Sequence, residues 1–358
     1  MGDRLRARQS SVNISLLIGL GLFLMAGHVF SEKAATLSPL VYPRKILVDN
    51  NRIFISDYPF IYIYSGTDYK RLKKFGGQGQ GPGEVYMDAA LIHQKERGLQ
   101  FFLEPDSIVV NSMGRLSFFS RTGDFRRMIR FNPFRSGRRF IPFGNNFAAW
   151  ENVRTKGDMH TSVNLYGPGL KKITKMARGE FPFIFSTGSP TKVHFFRLEG
   201  PIYDTSEGKL FVSFSGIQKL AIDVFDETGK KLYTISTDHK KIRLTEEDVR
   251  RYKSEFKYLY KRALEQNLKN TLFPEHYPAI RYFTIADGKI YVLTFKKNGD
   301  RSEFIIFDLK GNVLKTIMFP VAEMNAKRFF PFSISCGKFY QIIENEDEIW
   351  ELHVLNIE

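Results

Sequence analysis

FGGQGQGPGE, residues 75–84, directly follows a run that reads as two short strands and a tight turn. Its glycines permit backbone angles closed to other residues and Pro82 fixes one φ, so the stretch is a shaped connector between β units. A phosphate cradle would need a Lys followed by Ser or Thr and then a helix. Glu84, Val85 and Tyr86 stand there instead.

Around this connector one unit recurs: an apolar strand ending in an aromatic, a polar turn with glycine, then a second strand. The copies are IYSGTDY (63–69), FFSRTGD (118–124), LYGPGLK (165–171), VFDETGK (224–230), IFDLKGN (306–312) and a truncated VLNIE (354–358). With Tyr64, Phe119, Tyr166, Phe225, Phe307 and Leu355 taken as equivalent, the intervals are 55, 47, 59, 82 and 48 residues. Four of them fall near the ~40–50 residues of a four-stranded propeller blade, and the longest contains an insertion. Each copy is preceded by another strand signal: RIFISD (52–57), SIVVNS (107–112), NFAAWEN (146–152), KLFVSFS (209–215), KIYVLTF (289–295) and KFYQIIE (338–344). A large β-sandwich also spaces strands regularly, but has no reason to repeat one aromatic-turn-glycine unit. The expectation is an all-β chain, a six-bladed β-propeller.

The connector GQGQGPGE, placed after such a strand pair, resembles the inter-blade loop of secreted six-bladed β-propellers of the NHL-like group. The resemblance extends over all six units in pattern and is specific at the connector. It places Glu84 in a blade-linking loop, where its carboxylate accepts backbone N–H groups. Blade three departs from the pattern, with LYGPGLK in place of the acidic turn, so blade membership is least marked from 138 to 178. The sixth copy lacks a fourth strand after Glu358, and Ser38–Tyr42 is expected to supply it and close the ring.

At the N-terminus, Arg4, Arg6 and Arg8 precede an apolar run from about Ile14 to Ala26, and Val29-Phe30-Ser31 offers a peptidase site. Residues 1–31 therefore read as a signal peptide, with an uncleaved membrane anchor as the alternative. The propeller domain is then 32–358, exported to the periplasm or beyond the cell and expected to be a monomer without a membrane span. Of the net charge of +15, the leader carries +2, leaving +13. An exported protein this basic meets anionic surfaces such as phospholipid headgroups or acidic polysaccharide, and its address argues against nucleic acid. Cys336 is the only cysteine, which excludes an internal disulfide and a cysteine-based zinc cluster; it reads as a buried strand residue.

The turns between third and fourth strands are all short, whereas the links between blades are long and varied, so function is expected on the face that carries the links. The largest link is a helical insertion at about 240–279, between blades four and five. Thr245 is its N-cap, and Val249, Tyr252, Phe256, Leu259 and Ala263 form one apolar stripe with a basic remainder. It reads as a helix packed on the propeller, or else as a lid over the channel or a lipid-facing surface. Arg135, Arg138 and Arg139 form the densest short basic cluster on that face and are the candidate ligand-binding residues, weighed against a solvated charge run. No HExxH, GxSxG or Cys/His metal spacing occurs, so no catalytic residue, metal ligand or cofactor is assigned. Asp49, Asp57, Asp106, Asp204 and Asp287 lie near turns flanking inner strands and read as Asx-turn residues. The functional expectation is a non-catalytic exported propeller binding a protein or an anionic glycan or lipid surface. The alternative is a lactonase- or lyase-type enzyme with a channel-mouth metal.

Overall fold

A computed structural model describes residues 32–357 except 50, 87–98, 113, 133–137, 156–157, 182, 187–188, 198–199, 215, 217–218, 260–270 and 327. The expected leader lies outside the described residues. In chain order, β1 (Glu32–Thr36) comes first. Blade one is β2 (Pro43–Asp49), β3 (Arg52–Asp57), β4 (Phe60–Ser65) and β5 (Arg71–Gly76). Blade two is β6 (Gln100–Leu103), β7 (Ser107–Ser112), β8 (Arg115–Ser120) and β9 (Phe125–Arg130). Blade three is β10 (Arg138–Phe143), β11 (Asn146–Thr155), β12 (Asp158–Tyr166) and β13 (Lys172–Glu180). The hairpin β14 (Phe183–Ser186) and β15 (Ser189–His194) leads to blade four, β16 (Ile202–Ser206), β17 (Lys209–Ser213), β18 (Leu220–Asp226) and β19 (Lys231–Thr237). Helix α1 (Glu246–Leu259) and β20 (Thr271–Leu272) precede blade five, β21 (Tyr282–Ala286), β22 (Lys289–Asn298), β23 (Arg301–Asp308) and β24 (Val313–Pro320). Blade six is β25 (Phe332–Ser335), β26 (Lys338–Glu344) and β27 (Trp350–Asn356), completed by β1.

The fold is thus the expected six-bladed propeller, and blade three is a full member of it. Apolar side chains fill the wedges between neighbouring sheets. Ile46, Ile53 and Ile55 of blade one meet Ile342, Trp350 and Leu352 of blade six, so the wedges run round a closed ring. The repeat seen in the sequence has a local cause. At Tyr64, Phe119, Tyr166, Phe225 and Phe307 the register slips by a bulge before the chain turns into the outermost strand. In three of these turns the fourth residue is a glycine with positive φ: Gly123 (84°), Gly229 (84°) and Gly311 (96°). An added Cβ would lie 2.5 Å from Phe75, 2.9 Å from Thr174 and 2.9 Å from Ile235, each on the outermost strand of the preceding blade. The glycine therefore lets each turn nest on its neighbour. Blade three makes the same turn, Gly167 N–H to Lys171 O and Leu170 N–H to Gly167 O, with Leu170 at φ 58°.

Closure differs from expectation. The fourth strand of blade six is Glu32–Thr36, which pairs antiparallel with β27 from Glu32↔Val354 to Thr36↔Glu351, and Lys33 meets Glu351 at 2.8 Å. Ser38–Tyr42 is a link instead. Pro39 has no N–H to give a ladder, and the N–H groups of Val41 and Tyr42 donate to the two carboxylate oxygens of Asp57 at 2.8 and 2.7 Å. Cys336 is also corrected: it is exposed, in the turn between β25 and β26. Cys336-Gly337, like Glu207-Gly208 and Asp287-Gly288, has positive φ at both positions, the two-residue turn that matches strand twist.

Gly229→Ala is expected to lower stability by about 1–2 kcal/mol from φ alone, with the Thr174 contact adding to it. Gly169→Ala, whose added Cβ meets nothing within 4 Å, stays within about 0.5 kcal/mol of the parent; denaturant titration of the two variants checks this. Removing Glu32–Thr36 should depress Tm far more than shortening the exposed turn at Asn298–Asp300 by one residue, because it opens a whole blade edge. Equal Tm values for those two deletions would be incompatible with closure by β1.

Candidate functional site

The inter-blade links and the turns between second and third strands leave the ring on one face, here the link face. There the insertions combine into structure that no single link could form. β14 and β15 pair antiparallel, and β20, from the next link, joins β15 in parallel through Val193↔Thr271 and His194↔Leu272. Helix α1 is capped reciprocally, with Asp248 N–H donating to Thr245 Oγ1 at 3.1 Å and Thr245 N–H to Asp248 Oδ2 at 3.0 Å. Its Val249 and Tyr252 pack into an aromatic cluster with Phe195, Phe196, Phe273, Tyr277 and Phe295. The packed-helix reading is the one observed at these positions. The side chains of Phe256 and Leu259, and all of Ala263, lie outside the described residues.

The innermost strands surround the channel, and side chains from five blades come together along them. Lys45 on β2 holds its Nζ 4.1 Å above the Phe102 ring of β6. Burial pulls its amine from 10.5 down to about 8; Asp204 opposes the shift and the like charge of Arg139 adds to it. Asp204 on β16 accepts the N–H groups of Thr205 at 2.9 Å and Ile285 at 3.1 Å, and the Thr284 hydroxyl at 3.2 Å. Burial pushes its carboxyl up, against the pull of these donors and of Lys45. Tyr203 donates its hydroxyl to the Arg139 carbonyl. Burial also raises the phenols of Tyr203 and Tyr282. Among the described residues, neither Lys45 nor Arg139 forms an ion pair. Lys45 therefore feels the like charge of Arg139, and the carboxylate that acts on it among the described residues, Asp204, is committed to clipping β16 onto β21.

Between α1, blade five and the link to blade six lies a pocket of ≈ 220 Å³. Arg243, Asp248, Arg251, Tyr252, Tyr277, Arg281, Phe295, Lys297 and Glu323 contribute to its walls. The Arg281 side chain is 6% exposed and pairs through Nη1 with Glu323 Oε1. Lys297 takes the other oxygen of Glu323 at 2.5 Å. Burial pushes the Glu323 carboxyl up, but these two cations hold it below its usual range. Arg281 Nε and Nη2 are buried without a partner among the described residues, and an unsatisfied buried donor costs about 1–3 kcal/mol. Tyr277 and Phe295 stack at 4.5 Å and make one wall flat. Burial raises both tyrosines, Tyr252 to about 12.

Of the three arginines singled out in the sequence, Arg139 reaches the channel mouth, Arg138 lies on β10 with its side chain outside the described residues, and Arg135 lies outside them altogether. Sequence reasoning missed Lys45 and Arg281. Their only signal was position, early in or just before an innermost strand. Asp57, Asp204 and Asp287 are not the expected Asx-turn residues: Asp57 accepts the N–H groups of Val41 and Tyr42, Asp287 those of Cys336 and Gly337, and Asp204 those of Thr205 and Ile285, so they tie together segments far apart in the chain. Glu84 accepts the N–H of Gly81 at 2.6 Å. Asp49 instead pairs with Arg121. Among the described residues, no three His, Cys, Asp or Glu side chains gather as a metal site, and no helix is long and apolar enough to cross a membrane.

No protein-family model matches the chain, and no curated protein is similar to it in sequence. Among solved structures, Hsv2 of Kluyveromyces lactis is 10% identical with a TM-score of 0.37, over 88% of this chain and 99% of that one. A protein of unknown function from Bacteroides caccae is 10% identical with a TM-score of 0.39, over 88% and 90%. The AfRom2 CNH domain is 9% identical with a TM-score of 0.38, over 91% and 98%. The propeller assignment rests on the strand pairings themselves.

Asp204→Ala deprives Ile285 N–H and Thr284 of their acceptor and is expected to cost about 1–3 kcal/mol by denaturant titration. Asp106→Ala, at an exposed turn position, serves as the reference and is expected to stay within about 0.5 kcal/mol.

Proposed function

We propose that this chain is an exported, non-catalytic propeller that holds an anionic partner, an acidic glycan or an acidic protein surface, on its link face. Lys45 and Arg139 at the channel mouth are its anchor. The observation that carries the reading is that Lys45 feels the like charge of Arg139 while neither forms an ion pair among the described residues. An anionic group seated between them relieves their mutual repulsion and keeps Lys45 protonated. Export rests on the character of residues 1–31, and the charge of +13 that remains fits an encounter with anionic surfaces. A lactonase- or lyase-type site would need several oxygen ligands converging on a cation, and no observation at the mouth favours it.

The test is binding to an acidic polysaccharide such as alginate, and to polyglutamate, by the parent and by Lys45→Met/Arg139→Ser. The double variant is expected to bind at least about tenfold more weakly. Neutralising Lys230, Lys231 and Lys310, on the opposite face, should change binding little. Binding should weaken from 0.1 to 1 M salt as the Debye length falls from ~10 to ~3 Å. It should also fall as pH rises through about 8, where Lys45 loses its proton, and Lys45→Arg should abolish that pH step. Equal losses from both sets of substitutions would show that only net charge matters and would sink the reading.

A further inference from the structure

We infer that the pocket between α1 and blade five is a second binding site, for a small carboxylate with a flat apolar body, which it takes through Arg281. This site is distinct from the channel-mouth anchor and does not depend on it.

The argument begins with the guanidinium. An arginine offers two parallel donors along its Nε–Nη2 edge, and that edge matches the two oxygens of a carboxylate. In Arg281 the opposite corner is already used, by Glu323 on Nη1, and Nε and Nη2 are the two nitrogens left without an acceptor. Phe295 and Phe329 flank the guanidinium at 5.5 Å each and hold it in an apolar setting, where a charge-assisted bond is strong. Both nitrogens are covered, so on this inference a carboxylate reaches them by a small local shift of the side chains that line the pocket, with the Nη1–Glu323 pair kept.

The charges around the pocket favour a negative group. Arg243, Arg251, Arg281 and Lys297 line it against Asp248 and Glu323. Glu323 is shared between Arg281 and Lys297, and Asp248 is engaged by the helix cap. The stacked Tyr277–Phe295 wall provides a flat apolar surface for the body of the ligand. The volume of ≈ 220 Å³ lies below the ~300–1,000 Å³ of pockets for drug-sized molecules, which sets the scale at a single ring or a short chain.

Benzoate is the probe, measured by calorimetric titration of the full propeller, with neutral benzamide and inorganic phosphate alongside. Benzoate is expected to bind at one site, benzamide not measurably, and phosphate at least about tenfold more weakly than benzoate. Arg281→Met should weaken benzoate binding by at least about tenfold. Because loss of Arg281 also strands Glu323, Ala326→Phe provides a second variant that fills the pocket and keeps the Arg281–Glu323 pair. It should abolish benzoate binding with the melting transition retained. Lys45→Met/Arg139→Ser should leave benzoate binding unchanged, which separates this site from the channel mouth. The inference is overturned if benzoate does not bind saturably, if benzamide or phosphate binds as well as benzoate, or if Ala326→Phe binds it like the parent.

Discussion

A ring of sheets has no end, but a chain does, and the pairing of β1 with β27 is the constraint that reconciles the two. Without it β27 would present a row of unpaired N–H and C=O groups, and the wedge between blades six and one would lose the strand that covers it. The lone cysteine lies exposed in a turn, so no covalent bond substitutes for the pairing. Closure continues into the link. Leu37 N–H reaches Trp350 O at 2.8 Å, and the Trp350 indole N–H reaches Val41 O at 3.2 Å. From there Val41 and Tyr42 are tied to Asp57, which fixes the entry into β2 and so the place of Lys45 in the channel.

Most of the fold was legible because the same geometric problem is solved several times. The aromatic before each outer turn marks a bulge, and the glycine after it marks a close approach to the neighbouring blade. Both leave residue types behind at a fixed spacing. Blade three was harder to read because Leu170 takes a backbone conformation usually given to glycine. The closing strand escaped because EKAAT has neither alternation nor aromatic residues to announce it; its partner β27 defines it, from far away in the sequence. Cys336 escaped for a different reason. A preference for burial pointed one way, and the demand of a two-residue turn followed by glycine decided otherwise.

The site was legible only as a face. Long links in the sequence pointed to one rim of the ring, and RSGRR pointed to one residue of the proposed anchor, Arg139. The channel mouth draws on strands from five blades, so no local spacing brings Lys45 next to Phe102 or Asp204 next to Ile285. The pocket is less visible still: its residues come from two links, a helix and a strand end, and Arg281 stands beside a strand as an ordinary surface-type residue would. The merging of two links into the sheet β14-β15-β20 is a tertiary event with no counterpart in either segment alone.

The distance along the chain between the partners of the closing pair gives the ring an order in time. Lys33 and Glu351 are 318 residues apart, so during synthesis the first strand of the propeller emerges long before its partner exists. Each blade from one to five completes its own sheet from contiguous chain, while β1 must wait unpaired until Trp350–Asn356 has been made. A chain interrupted before that point leaves β1 and the β27 side of β26 without the strand that pairs with both, and each is a template for another strand. The making of β27 therefore pairs β1 and completes the sixth blade in the same step.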